Sequence, residues 1–210
     1  MANLFNTFLK TLFPRKCFGC RASDFWVCEK CLAKIPKSPQ TPAKWIFSVF
    51  SYQNKIIRKL IWELKFRGKY SVLDNIEAKL KNEFENFVDK NKLSGKDFFL
   101  IPIPITEKSR KTRGYNQSLL IAKRISDENK IMQNILFKNR NHIPQNKIKN
   151  RAERLGNVKN SFEVRKNELV ENKIVILIDD VVTTGATLTE AKKVLKSSGA
   201  KKVFAFVVAH

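Results

Sequence analysis

The chain has 210 residues and 43% of them are hydrophobic, which suits one full-sized α/β domain with a small extra module and excludes disorder throughout. Lysine and arginine number 41 against 19 acidic residues, a formal net charge of +22 that favours phosphate-rich partners: nucleotides, nucleic acid or an anionic membrane surface. No stretch supplies the roughly 18 apolar residues of a membrane helix, and the N-terminus lacks the pattern of a secretory leader, so a cytoplasmic protein is expected. The abundance of Asn, Lys and Ile fits an AT-rich coding bias equally well. Basicity alone therefore does not establish a nucleic-acid partner.

Residues 3–13 place Leu4, Phe5, Phe8, Leu9, Leu12 and Phe13 at helical spacing, which predicts a helix with one apolar face. That face suits packing against the neighbouring module or, alternatively, a membrane surface. Cys17-Phe-Gly-Cys20 and Cys28-Glu-Lys-Cys31 hold all four cysteines. Two such knuckles joined by a short loop bring four thiolates around one metal in the tetrahedral set that suits zinc. A disulfide framework is disfavoured in a cytoplasmic chain, and a redox Cys-x-x-Cys needs only one pair in a thioredoxin-like context. With every position filled by protein, Zn2+ is expected to be structural.

Pro36, Pro39 and Pro42, with Ser38 and Thr41 among them, read as a linker. The expected organisation is an N-terminal helix and zinc module over 1–36, a linker over 37–44 and the main domain over 45–210. Residues 45–52 read as a strand. Ile56, Ile57, Leu60, Ile61 and Leu64 share one face of a helix ending near Gly68. The basic turn of Lys65, Arg67 and Lys69 serves either the helix dipole or a function. A second helix is expected over 72–88, and a buried strand over 98–104. Residues 106–117 read as a loop carrying Lys108, Arg110, Lys111 and Arg113. It is either a solvated basic loop or a clamp for a phosphate group, since guanidinium forks match phosphate oxygens. An amphipathic helix over 116–125 follows. Residues 139–162 are polar, irregular and long for a connection, as a hood closing over an anionic ligand would be.

Residues 174–187 are the stretch around which the main domain is organised. Ile174 to Ile178 form a continuous apolar run, the pattern of a central parallel strand covered on both faces. Asp179 and Asp180 end it, in the crevice where open α/β sheets bind ligands. Thr183, Thr184, Gly185, Ala186 and Thr187 then supply hydroxyls and close backbone N–H groups before a helix over 187–198. Backbone donors at a helix N-terminus cradle phosphate. Acids beside such a cradle suggest a ribose phosphate, with the acids on its hydroxyls or on a magnesium ion. No Gly-Lys-Ser/Thr follows, so a P-loop is not supported. A last buried strand over 202–208 closes a βαβ unit. His142 and His210 lack evident partners and are expected to be incidental.

The run of hydrophobics, two acids and Thr-Thr-Gly-x-Thr resembles the phosphoribosyl pyrophosphate signature of type I phosphoribosyltransferases. Over nearly the whole chain the sequence resembles the ComF family, competence-associated and phosphoribosyltransferase-like. The resemblance is carried by the cysteine knuckles, by Pro102 and Pro104 with Arg110 and Arg113-Gly-Tyr-Asn-Gln117, by Gln145 with Arg151, Arg154 and Asn157, and by residues 179–187. It implies an α/β, type I phosphoribosyltransferase-like fold: a Rossmann-like parallel sheet flanked by helices, with a small N-terminal zinc-knuckle module. It also implies that Asp179 and Asp180 are the catalytic pair on the ribose hydroxyls, directly or through Mg2+. Residues Thr183, Thr184, Gly185, Ala186 and Thr187 would take the 5-phosphate. Arg110, Lys111, Arg113 and Gln117 would meet pyrophosphate, joined by Gln145, Arg151, Arg154 and Asn157 from the hood. Purine-salvage relatives carry a carboxylate three residues after the acid pair. Here Thr183 stands there, and a hydroxyl cannot perform that proton transfer, so a purine acceptor is disfavoured.

The implied partners are phosphoribosyl pyrophosphate and DNA-uptake machinery. Two competing accounts use the same fold: a sensor of phosphoribosyl pyrophosphate without turnover, and a non-catalytic factor binding single-stranded DNA. In the latter, basic loops would track the backbone while Phe18, Phe25 and Trp26 stack on bases.

Overall fold

The computed structural model describes residues 15–138 and 161–210. The expected helix over 3–13 lies outside the described residues, as do His142 and the hood residues Gln145, Arg151, Arg154 and Asn157. The first described element is the short helix α1 (Glu29–Ala33), which carries Cys31. Strand β1 (Ile46–Phe50) follows, then α2 (Lys55–Phe66), whose first turn is capped by Asn54 accepting from the N–H groups of Ile56 and Ile57. Helix α3 (Glu77–Lys90) leads to β2 (Phe98–Pro102). Helices α4 (Glu107–Arg113) and α5 (Gln117–Ile125) come next, then strands β3 (Leu136–Lys138) and β4 (Phe162–Val164), which pair antiparallel. The chain finishes with β5 (Ile174–Val181), α6 (Ala186–Ser197) and β6 (Lys202–Ala209).

Four strands form a parallel sheet in the order β1-β6-β5-β2. The uninterrupted apolar run of β5 has the physical cause anticipated from sequence: it is central, and both faces are covered. Strand alternation sends Ile174, Ile176 and Ile178 into one core with Leu60, Leu64, Leu80, Phe84 and Phe206. Val175 and Leu177 enter a second core with Leu136, Leu188, Leu195 and Val207. Pro102 is tolerated because β2 is an edge strand. Among the described residues no helix is long and apolar enough to cross a membrane.

Several expectations need correction. Residues 107–113 are helical rather than looped: Thr106 caps the start by accepting from the Ser109 N–H, and Gly114 at φ 79° ends the helix. The second helix begins five residues later than expected, at Glu77, after a 3-10 turn over Tyr70–Val72. Phe162 belongs to β4 and is buried, not part of an irregular segment. His210 is not without a partner, because its Nδ1 lies 3.0 Å from the Val182 carbonyl. Residues read as linker run beside β1: Ser38 N–H donates to the Val49 carbonyl at 3.2 Å, and Ser51 N–H to that of Pro36 at 3.1 Å.

Candidate functional site

The four cysteine sulfurs lie within 4.8 Å of one another, an arrangement that can hold a metal ion. All four are free thiols. Gly19 lets the knuckle close: a Cβ there would sit 2.7 Å from Cys31 Sγ and 2.9 Å from Ile56 Cδ1. Burial opposes ionisation of Cys17, yet backbone donors including Cys20 and Cys28 draw its thiol down to about 6. Cys31 is pushed up to about 12 by desolvation and by its neighbouring sulfurs. Four sulfurs this crowded cannot all ionise without a cation among them, so the donor set fits a thiolate-bound metal.

Trp26 ties the knuckle to the main domain. Its backbone N–H donates to Asn75 Oδ1 at 2.9 Å, its Nε1 to Ser71 Oγ at 3.0 Å, and Lys69 Nζ stands 4.6 Å from its ring. The knuckle thus braces the turn at the end of α2, where the second constellation begins.

Asp179 and Asp180 lie within β5, at its carboxyl end as expected. Neighbours in a strand face opposite ways, so the acids diverge. Asp180, 2% exposed, meets Lys65 of α2, with Nζ 3.0 Å from Oδ2. That oxygen has no directed hydrogen bond, while Oδ1 accepts from the Val181 N–H at 2.7 Å. Asp179 keeps partial exposure and accepts at Oδ1 from the Ser118 hydroxyl at 3.0 Å and the Asp180 N–H at 2.9 Å. Burial, reinforced by the charge of Asp180, pushes the Asp179 carboxyl up to about 7, with Lys65 and the two donors working the other way. Burial also opposes the charge on Lys65, but Asp180 and Asp179 outweigh it and raise that ammonium's pKa. Lys138 of β3 feels Asp179 as well; desolvation depresses its pKa and the carboxylate partly offsets the effect.

The turn after β5 bends at Gly185, φ 77°, which caps α6. Thr184 Oγ1 lies 3.4 Å from the Ala186 N–H, Thr183 is exposed and Ala186 and Thr187 are half-buried. The turn therefore leads directly into the N-terminus of a three-turn helix, the end of a helix that favours anions. A Cβ on Gly185 would stand 3.3 Å from Pro42 Cβ. Gly185→Ala is expected to cost about 1–2 kcal/mol through the left-handed backbone alone, read as a lower urea midpoint; an unchanged midpoint would show that the turn relaxes freely.

The basic residues of α4 divide. Arg110 and Lys111 are exposed. Arg113 is already engaged, with Nη1 3.2 Å from Gln117 Oε1 and its guanidinium 5.2 Å from the Phe66 ring. Gln117 is buried. Asn116 caps α5 through its Oδ1 and donates to the Ile103 carbonyl at 3.0 Å, fixing α5 to the end of β2. A cavity of about 770 Å³, lined by Arg110, Tyr115, Asn116, Leu119, Phe137 and Lys138 among others, opens between α4, α5 and the β3–β4 pair.

Two residues of this site, Ser118 and Lys138, were not singled out by sequence reasoning, and Lys65 was read only as part of a basic turn serving the helix dipole or a function. Lys65 lies four residues after Ile61, on the edge of the buried face of α2, so its position on the helix wheel was the available signal. Ser118 and Lys138 left none.

A family model for the phosphoribosyl transferase domain matches residues 116–210. Together with the parallel sheet, this makes the protein one of phosphoribosyltransferase fold. The chain is 31% identical over 153 residues to competence protein ComFC of Bacillus subtilis, covering 72% of this chain and 58% of that protein. It is 29% identical over 159 residues to ComFC of Streptococcus pneumoniae, covering 76% and 65%. The DNA utilization protein YhgH of Escherichia coli K12 is 25% identical over 200 residues, covering 92% and 82%. The chain spans less than two thirds of the length of those two competence proteins. The chain is thus similar to competence proteins named ComFC and carries a phosphoribosyl transferase domain.

Proposed function

We propose that the protein binds phosphoribosyl pyrophosphate with magnesium and that, as the names of its relatives suggest, it supports DNA uptake or processing. One observation supports this most directly: a partly exposed carboxylate and a helix N-terminus stand on either side of one short turn, at the carboxyl end of the central strand. Residues 183–187 receive the 5-phosphate. Asp179 is the acid placed to accept from the ribose hydroxyls, while Asp180 lies behind it, paired to Lys65. Arg110 and Lys111 are exposed beside the crevice and available to pyrophosphate, with Arg113 held on Gln117.

Magnesium favours oxygen donors and is commonly held by one or two carboxylates together with substrate phosphates. The two aspartates offer such oxygens, Asp179 from a partly exposed position and Asp180 at the oxygen that now faces Lys65. Magnesium supplies charge that offsets the pyrophosphate. In transfer, a nucleophile would bond to the anomeric carbon as that carbon's bond to the pyrophosphate oxygen breaks, and the electron pair would leave with intact pyrophosphate. The protein's part is positioning and stabilisation of the departing charge. Calorimetric titration with phosphoribosyl pyrophosphate, with and without magnesium, tests the binding; absence of heat in both would sink it. Single-turnover release of pyrophosphate separates enzyme from sensor.

The fold's surface also favours a second reading, contact with single-stranded DNA. Trp62 and Phe66 of α2 are 41% and 61% exposed, and Tyr70 and Phe25 are 53% and 42% exposed. Lys59 and Arg67 lie 5.1 and 5.3 Å from the Trp62 ring. Aromatic faces interleaved with cations are what a sequence-tolerant stacking platform needs. Replacing Trp62 and Phe66 by Ala is expected to weaken oligonucleotide binding by about tenfold or more while leaving its salt slope in place. Equal affinity in an anisotropy titration would discard this surface.

A further inference from the structure

The ion pair between Lys65 and Asp180 puts an ammonium where a metal ion would be expected. Asp180 is 2% exposed, so the charge on its carboxylate has no route to bulk water and must be met inside the fold. The contact is made at Oδ2, the oxygen without a directed hydrogen bond. The Lys65 side chain is 24% exposed, so it covers the carboxylate and has a path outward. Lys65 extends from the last turn of α2, which is held from both sides. Tyr115 donates its hydroxyl to the Leu64 carbonyl, and Lys69 sits on the Trp26 ring of the cysteine knuckle. The backbone carrying Lys65 is therefore fixed, and its four-carbon stem is the part that can move.

We propose that the Lys65 ammonium and a divalent cation are alternative occupants of the Asp180 carboxylate, so that Lys65 keeps the free protein from binding metal by itself. An ammonium and a divalent cation facing one buried carboxylate oxygen repel each other, so each weakens the other's hold on it. A metal reaching Asp180 must displace the ammonium toward solvent or toward an anion arriving with it. A sugar pyrophosphate supplies that anion, which would make metal and ligand enter together. The cation-and-ribose role of the acid pair, on which this rests, is the proposed function above.

The test reads metal without any sugar phosphate. Mn2+ is titrated into the intact protein and free Mn2+ is followed by electron paramagnetic resonance. Lys65→Met is expected to bind Mn2+ about tenfold or more tightly than wild type, as removal of a unit charge in contact with the ligand oxygen demands. Lys65→Gln, which keeps polarity and protects against misfolding of the first variant, is expected to do the same. The gain should vanish when Asp180→Asn is added. Equal Mn2+ affinity in wild type and both Lys65 variants overturns the proposal, as does a gain that survives Asp180→Asn. Failure here leaves the phosphoribosyl pyrophosphate titration untouched. Conversely, a protein that shows the Mn2+ gain and ignores phosphoribosyl pyrophosphate would refute the proposed ligand and keep the competition.

Discussion

Asp179→Asn is expected to abolish magnesium-dependent binding of phosphoribosyl pyrophosphate while leaving the protein folded. The half-exposed Asp179 carboxylate is held by the Ser118 hydroxyl and the Asp180 N–H. An amide in its place can accept through one atom only, and its NH2 group faces donors. Ribose hydroxyls then lose a charged acceptor, a bond type worth roughly 1.5–3 kcal/mol each, and any metal loses a ligand. Removing a carboxylate that burial already resists should cost the fold little. Asp180→Asn differs in kind: it strips Lys65 of its counter-charge and is expected to lower stability by up to about 3 kcal/mol, as well as weakening ligand binding. Calorimetry and urea denaturation on both variants separate the outcomes. Undiminished affinity in Asp179→Asn would remove the acid pair from the site.

Stripping the metal from the cysteine knuckle is expected to unfold residues 15–35 and to loosen the end of α2, with the sheet left standing. Structural zinc contributes apparent free energies of about 10–16 kcal/mol in isolated finger peptides, far more than the few contacts of a module this small. Without the ion the sulfurs, all within 4.8 Å, repel once more than one is ionised. Trp26 would then release Ser71 and Asn75, and Lys69 its ring contact. Hydrogen exchange after full chelation, checked by metal analysis, should show the loss over 15–35 and an intermediate effect over 65–75. Cys28→Ser should reproduce it. Protection unchanged in a metal-free sample would show that the module stands on its packing alone.

Much of the sheet was legible because its strands obey burial. The unbroken Ile174–Ile178 run could only be a strand covered on both sides, and the glycine after two threonines could only open a helix. Helix α4 was missed for the opposite reason: its residues are all polar, five of the seven charged, and show no apolar period. Its ends were nonetheless marked, by Thr106 before it and Gly114 after it, and capping signals deserved more weight than the missing amphipathic stripe. The Lys65–Asp180 pair joins residues 115 positions apart and depends on how α2 lies on the sheet. No local rule sees that distance. The divergence of the two aspartates follows from strand parity, since both lie within β5.

The pairing of Lys138 with Phe162 has an evolutionary consequence. Adjacent strands hold their partners about 5 Å apart, so the polypeptide between them departs from and rejoins the domain at practically one point. The entropic cost of joining two anchors this close grows only with the logarithm of the number of residues between them. Residues can be added, deleted or exchanged between these two anchors without the parallel sheet registering the change.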